Sequence, residues 1–101
     1  MRLTPHQINT LKCLSREVFG SEVRLFLFGS RADDHRSGGD IDLYVMGFKG
    51  DFNQQLDAKI KFLTKAKLEL GDQRIDVIFA PLPGQPRTPI QRIAEETGIA
   101  L

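Results

Sequence analysis

Two aspartates open an apolar segment near the middle of the chain, in the run Asp-Ile-Asp-Leu-Tyr-Val at 40–45. In a β-strand, side chains alternate between two faces, so Asp40 and Asp42 would share one face. Their Cα atoms would then lie about 7 Å apart. Like charges this close raise each other's pKa unless a cation lies between them. Mg²⁺ is a suitable cation because it prefers carboxylate oxygens and keeps water or phosphate in its other positions.

A third aspartate favours this interpretation. Asp76 lies in the run Arg-Ile-Asp-Val-Ile-Phe-Ala at 74–80, again alternating with apolar residues. If this strand lies beside the 40–46 strand, Asp76 reaches the same site as Asp40 and Asp42. Two metal ions held this way would activate an attacking hydroxyl and stabilise a leaving pyrophosphate. The alternative for the pair alone is that Asp40 caps a loop and Asp42 faces solvent.

A Gly-Ser pair precedes these carboxylates along the chain, at the end of the apolar run 23–29. Gly29 lacks a Cβ, so its backbone can approach a ligand closely. Ser30 can donate a hydrogen bond to a phosphate oxygen, and a short helix opening there would direct free N–H groups at the same anion. Arg31 is a further nucleotide-binding candidate. It would add positive charge, although a surface ion pair with Asp33 or Asp34 is the favoured interpretation.

Three helices and three strands are expected to position these residues. Each helix begins with a capping box and ends at a glycine; the boxes are Thr4…Gln7, Asp51…Gln54 and Thr88…Gln91, and the glycines are Gly20, Gly71 and Gly98. Strands are expected at 23–29, 40–46 and 74–80. The order α-β-β-α-β-α predicts an α/β (α+β) fold, in which helices pack on a small mixed β-sheet.

The second helix has an apolar periodicity that predicts its buried face. Large apolar residues recur at helical spacing, and they would form that face: Phe52, Leu56, Ile60 and Leu63. Four lysines lie largely off this stripe, and we expect them on a solvated surface: Lys59, Lys61, Lys65 and Lys67.

Composition excludes several classes of protein. With 101 residues and 41% hydrophobic residues, the chain is expected to form one domain over 1–101. A net charge of +1 gives no basic stripe for non-specific nucleic-acid binding. Because its first residues form no long apolar run, we expect no signal peptide, and no segment is apolar over the length of a membrane span. Its one cysteine cannot form an internal disulfide, so we expect a reducing, cytoplasmic location.

The run 29–45, from Gly29-Ser30 through Asp40-Ile-Asp42, resembles the signature of the DNA polymerase β-type nucleotidyltransferase superfamily. That signature is Gly-Ser, a loop of about ten residues, Asp-x-Asp, and a third Asp on a later strand. The short chain is similar to minimal nucleotidyltransferase (MNT) proteins. The resemblance extends from the first strand to the third, and it implies the nucleotidyltransferase (polymerase β-like) fold.

The resemblance also implies roles for individual residues. Gly29 and Ser30 would bind the triphosphate of ATP, and Asp40 and Asp42 would bind two Mg²⁺ ions. Asp76 would share a metal and help to activate the attacking hydroxyl. Asp72 is the nearby rival for this third position, but it follows the helix-ending Gly71 and has the character of a turn residue.

MNT proteins of this size resemble antitoxins encoded beside HEPN-domain toxins. The resemblance implies a hetero-oligomer in which the MNT protein transfers AMP from ATP to a tyrosine hydroxyl of its HEPN-domain partner. Asp33 and Asp34 replace a basic residue and a glycine common in relatives, and the loop is about one residue short. Asp33 and Asp34 favour the alternative, a catalytically weak or inactive antitoxin with the nucleotidyltransferase fold that neutralises its partner by stoichiometric binding. The sequence does not specify the nucleotide base or the acceptor residue.

Overall fold

A computed structural model of the chain describes residues 3–29 and 40–101. The described residues form three helices and four strands in a small α+β arrangement. In chain order these elements are α1 (Pro5–Phe19), β1 (Arg24–Phe28), β2 (Ile41–Met46), α2 (Phe52–Leu70), β3 (Ile75–Phe79), α3 (Pro89–Thr97) and β4 (Ile99–Ala100). The expected order α-β-β-α-β-α is confirmed, and β4 extends it.

All three helices begin at the capping boxes that the sequence predicts. The Asp51 carboxylate accepts a hydrogen bond from the Gln54 backbone N–H at 2.9 Å, and the Gln54 side chain accepts one from the Asp51 N–H at 2.8 Å. These bonds satisfy N–H groups that a helix leaves unpaired at its start, so the boundary is encoded locally. Within the described ranges, no helix is both long and apolar enough to cross a membrane.

The strands form one mixed sheet in the order β3-β2-β1-β4. β1 pairs antiparallel with β2 and with β4, whereas β2 and β3 run parallel. The expected mixed sheet is therefore confirmed, including the placement of β3 beside β2. The fourth strand was not predicted. It pairs with β1 and forms one edge of the sheet. The Leu101 N–H donates to the Leu25 carbonyl at 3.0 Å.

One face of the sheet packs against α1 and α2. Leu43 and Val45 of β2 point to this face with Ile41, and all three are fully buried. Phe62 of α2 is also fully buried and stacks on Phe19 of α1, with ring centroids 4.9 Å apart. These contacts confirm that the apolar side of the Asp-Ile-Asp strand faces the helices.

The opposite face carries the aspartates and is covered in part by α3. A second apolar cluster forms there from Phe28, Tyr44 and Ala94. Tyr44 is 1% exposed, whereas Asp42, two residues earlier on the same face, is only half-buried. The helix therefore closes the middle of this face and leaves the beginning of β2 accessible.

The predicted buried face of α2 is wrong. The residues that α2 buries are Ala58, Phe62 and Ala66. Leu63 is only partly buried against the core, and Phe52, Leu56 and Ile60 are 61%, 43% and 63% exposed. We call these last three residues the α2 stripe. Two small alanines on either side of one phenylalanine allow close packing of α2 against its neighbours. The larger apolar residues of the α2 stripe therefore lie on the outward side of the helix.

Candidate functional site

The parallel pairing of β2 with β3 brings the predicted metal ligands to one end of the sheet. Asp42 and Asp76 are direct partners in the register. Asp40 immediately precedes β2, and the adjacent Ile41 N–H donates to the Arg74 carbonyl at 2.8 Å. This bond joins the start of β2 to the residue before β3. The structure thus places all three aspartates at the same end of two neighbouring strands.

The three carboxylates share one electrostatic environment. The pKa of Asp42 is raised above its ordinary value of 3.8, chiefly because burial removes water from its carboxylate. The negative charges of Asp40 and Asp76 raise this pKa further. Asp42 is therefore the central member of the group, and a nearby cation would relieve its unfavourable surroundings.

The outer carboxylates are held by other groups of the chain. Asp76 accepts a hydrogen bond from the Val77 N–H at 2.9 Å and lies 3.4 Å from the Lys59 ammonium nitrogen. Asp40 lies 3.6 Å from Nε of Arg74. Within residues 3–29 and 40–101, no three His, Cys, Asp or Glu side chains converge closely enough to hold a metal ion. The aspartates share an end of the sheet, and the two outer ones pair with Lys59 and Arg74.

The donor set nevertheless matches the chemistry of Mg²⁺. All three candidates supply hard carboxylate oxygens, which Mg²⁺ prefers over nitrogen and sulfur ligands. Their accessibility at the sheet end leaves room for the water and phosphate oxygens that usually complete its coordination. Asp40, Asp42 and Asp76 are the residues that would hold such an ion.

Gly29 combines a left-handed backbone conformation with a close approach to Asp42. Its φ of 77° lies in the left-handed region, where a side chain is strained. A Cβ on Gly29 would overlap the Asp42 carboxylate, with the Asp42 Cγ at 3.3 Å. The end of β1 and the carboxylate thus pack directly together. Ser30 and Arg31 lie outside the described residues, so the nucleotide-binding roles of 29–31 stay predictions.

Asp72 does not compete for the third position. Its side chain is 93% exposed and lies 3.7 Å from the Lys67 ammonium nitrogen. It sits between α2 and β3, outside the strand pairing that places Asp76 beside Asp42. The interpretation of Asp72 as a turn residue agrees with this position.

A polar network that the sequence did not reveal lies further along the same face. The Tyr44 hydroxyl donates to the Glu95 carboxylate at 2.5 Å, and Nε of Arg87 donates to its other oxygen at 2.6 Å. Burial and the bond to Glu95 raise the pKa of Tyr44, while the bonds from Tyr44 and Arg87 lower that of Glu95. Tyr44 is thus fixed beneath α3, and it borders the aspartates without joining them.

The pairing of Tyr44 with Glu95 had no usable sequence signal. Glu95 is 51 residues from Tyr44 along the chain, and it is one of two adjacent glutamates in α3. Only the packing of α3 onto the sheet selects one of them. The network borders a cavity of about 260 Å³ that also contacts Phe26 and Met46.

Comparisons with known proteins add no relative to this description. Neither the models of protein families nor the curated proteins compared with this sequence give a match. The features that bear on function are therefore the three carboxylates, the strand register that gathers them, and the motif around them.

Proposed function

We propose that the chain is a Mg²⁺-dependent nucleotidyltransferase with the polymerase β-like fold, which transfers AMP from ATP to a tyrosine hydroxyl of a HEPN-domain partner. The observation that carries this proposal is the register of Asp42 with Asp76, with Asp40 at the same sheet end. The pKa of Asp42 fits this arrangement, because burial raises it and the charges of Asp40 and Asp76 raise it further.

In the proposed reaction the acceptor oxygen attacks the α-phosphorus of ATP, a new P–O bond forms and pyrophosphate leaves. Bound Mg²⁺ would supply the positive charge that stabilises the phosphate oxygens and the leaving group. Asp40 and Asp42 would hold the two cations, and Asp76 would share one of them, orient the acceptor hydroxyl and accept its proton. Gly29 follows β1 and lies against the Asp42 side chain. The Gly-Ser motif therefore begins beside the carboxylates.

A protein acceptor is supported by exposed apolar surface on α2 and at the end of β3. The α2 stripe exposes three large apolar side chains in the helix that also carries Lys59, the residue paired with Asp76. A groove of about 600 Å³ continues from Phe52 to Ile90 of α3 and is lined by Leu82 and other apolar residues. Exposed apolar surface of this kind is typical of sites that bind other proteins.

The second candidate function is stoichiometric neutralisation of the partner without turnover. Its support is that the two outer carboxylates are already paired with cations of the chain, Asp76 with Lys59 and Asp40 with Arg74. Such a binding protein would use the α2 stripe and would need neither ATP nor the aspartates.

Intact-mass spectrometry of a separately purified HEPN-domain partner distinguishes the two functions. The partner is mixed with less than one equivalent of this protein and with Mg-ATP, and its mass is followed over time. The test variant is Asp40→Asn/Asp42→Asn, which keeps the size of both side chains. Asp72→Asn is the matched control, because it removes one exposed carboxylate away from the strands.

Addition of whole AMP units by the unmodified protein and by Asp72→Asn, but not by the double variant, is the expected result. Turnover above one equivalent would establish catalysis. AMP addition that persists in the double variant would refute the assigned site. An unmodified partner that both forms bind and inhibit equally would refute nucleotidyl transfer and establish the binding function.

A further inference from the structure

The ion pair between Lys59 and Asp76 joins a helix to the candidate site. Lys59 belongs to α2, which packs on the face opposite the aspartates, so its side chain reaches past the open edge of the sheet at β3. Its side chain is 32% exposed. The aliphatic stem is therefore partly covered while the ammonium group meets the carboxylate.

Lys59 differs from the other cations of the described residues that form ion pairs. Their side chains are between 45% and 87% exposed, so Lys59 is the most covered of them. Arg74, which pairs with Asp40, is 87% exposed. A long exposed side chain is readily displaced by competing ions, whereas a partly covered one keeps its position at lower entropic cost.

The second contact of Asp76 strengthens its present orientation. The carboxylate oxygen that faces Lys59 also accepts the Val77 N–H bond. Val77 and Asp76 are adjacent in β3, the edge strand of the sheet. The carboxylate is thus held toward the edge of the sheet by two donors, while Asp42 on the neighbouring strand pairs with no cation of residues 3–29 and 40–101.

We propose that Lys59 is a positioning residue that occupies, at Asp76, the charge position of a second divalent cation. This inference rests on the proposed function, because it assumes a cation at Asp40 and Asp42. The first ion binds without disturbing Lys59. The second ion binds only when it displaces the ammonium group from Asp76, so Lys59 sets how readily the complete site assembles.

The proposal predicts a selective change in metal affinity. Replacing Lys59 with methionine keeps most of the aliphatic stem and removes the charge. The second ion then no longer competes with an ammonium group for Asp76, and its affinity should rise about two- to fivefold, as expected for a partly exposed ion pair. The affinity for the first ion should change less, because Asp40 and Asp42 are not paired with Lys59.

Mn²⁺ binding measured by electron paramagnetic resonance tests this directly, because only free Mn²⁺ gives the sharp signal. The full chain is titrated with Mn²⁺ alone, without ATP or a partner. Lys59→Met is compared with Lys59→Arg, which keeps the charge, and with Lys61→Met, which removes an exposed charge from the same helix. Asp40→Asn/Asp42→Asn identifies the first site, and circular dichroism confirms the fold of each form.

Stronger binding of a second ion in Lys59→Met alone, with Lys59→Arg and Lys61→Met unchanged, is the expected result. Equal second-ion binding in Lys59→Met and the unmodified chain would overturn the role of Lys59 and leave the proposed function intact. An equal gain in second-ion affinity in Lys61→Met would also overturn the role of Lys59. The loss of any positive charge from α2 would then explain the stronger binding. Mn²⁺ binding that is absent throughout, or that survives in the double aspartate variant, would remove the assumed cation site and both proposals.

Discussion

Replacing Asp42 with asparagine is expected to stabilise the protein while removing the central ligand of its candidate metal site. Asparagine has nearly the same shape as aspartate, so it keeps the close contact with Gly29. It lacks the charge that burial and the two neighbouring carboxylates disfavour. The residue best placed to bind a cation is therefore one that weakens the protein when no cation is bound.

The contribution of the neighbouring charges to this effect follows from the strand register. Neighbouring strands lie about 4.8 Å apart, which places carboxylates on paired residues roughly 6 Å from each other. Two charges at about 6 Å repel by ~0.7 kcal/mol in water and by ~2.8 kcal/mol at an effective dielectric constant of 20. Asp42 and its neighbours are partly exposed and screened by salt, so we expect a gain of about 1 kcal/mol. For a domain of this size this corresponds to a Tm increase of about 4–8 °C.

Thermal unfolding in EDTA, followed by circular dichroism from acid to neutral pH, measures this effect. The folded-state pKa of Asp42 is raised above 3.8, so the unfolded chain ionises at lower pH than the folded one. The destabilisation by the Asp42 charge is absent at pH values well below 3.8 and complete at pH values above the folded-state pKa. The advantage of Asp42→Asn must therefore grow as pH rises through this interval.

Mg²⁺ should raise the Tm of the unmodified protein more than that of Asp42→Asn, which lacks one ligand. An equal or lower Tm for Asp42→Asn in EDTA at neutral pH would refute the reasoning. It would mean that the Asp42 charge is already compensated in the folded protein.

Three further predictions test the packing of the fold, two of them with a control substitution. Gly29→Ala should lower stability by about 1–3 kcal/mol. Gly84→Ala is the control, because Gly84 has a φ of 83° but open space around it, and it should lower stability less. Equal losses of unfolding free energy in chemical denaturation would contradict the close contact between Gly29 and Asp42. Phe62→Ala should cost about 3–5 kcal/mol, whereas Phe52→Ala on the same helix should be nearly neutral. Tyr44→Phe should lower the Tm at neutral pH; because the tyrosine lowers the pKa of its glutamate acceptor, this difference should shrink as pH falls below 4.5.

The elements of the fold could be predicted because their signals are local. A capping box satisfies N–H groups within the first turn of a helix, so Asp51 and Gln54 define a boundary without tertiary contacts. Strand alternation likewise assigned Ile41, Leu43 and Val45 to the buried face. Of the candidate site, Asp40, Asp42 and Asp76 could be placed on one sheet face on condition that β3 pairs with β2.

The buried face of α2 could not be predicted because apolar periodicity does not measure how closely a helix approaches its neighbours. Phe52, Leu56 and Ile60 have the spacing of a core stripe, yet Ala58 and Ala66 occupy the interface. Small residues permit close packing, and the gain in contacts along the helix can exceed the burial of three larger side chains.

The sequence by itself determined where helices begin and end, how strand residues alternate and which carboxylates are available for a site. These properties depend on hydrogen bonds and backbone geometry within a few residues. Only the tertiary structure decided that Asp42 lies beside Asp76, that Lys59 reaches Asp76, and that Tyr44 pairs with Glu95. Those contacts join distant segments, and their partners are selected by the packing of complete elements against each other.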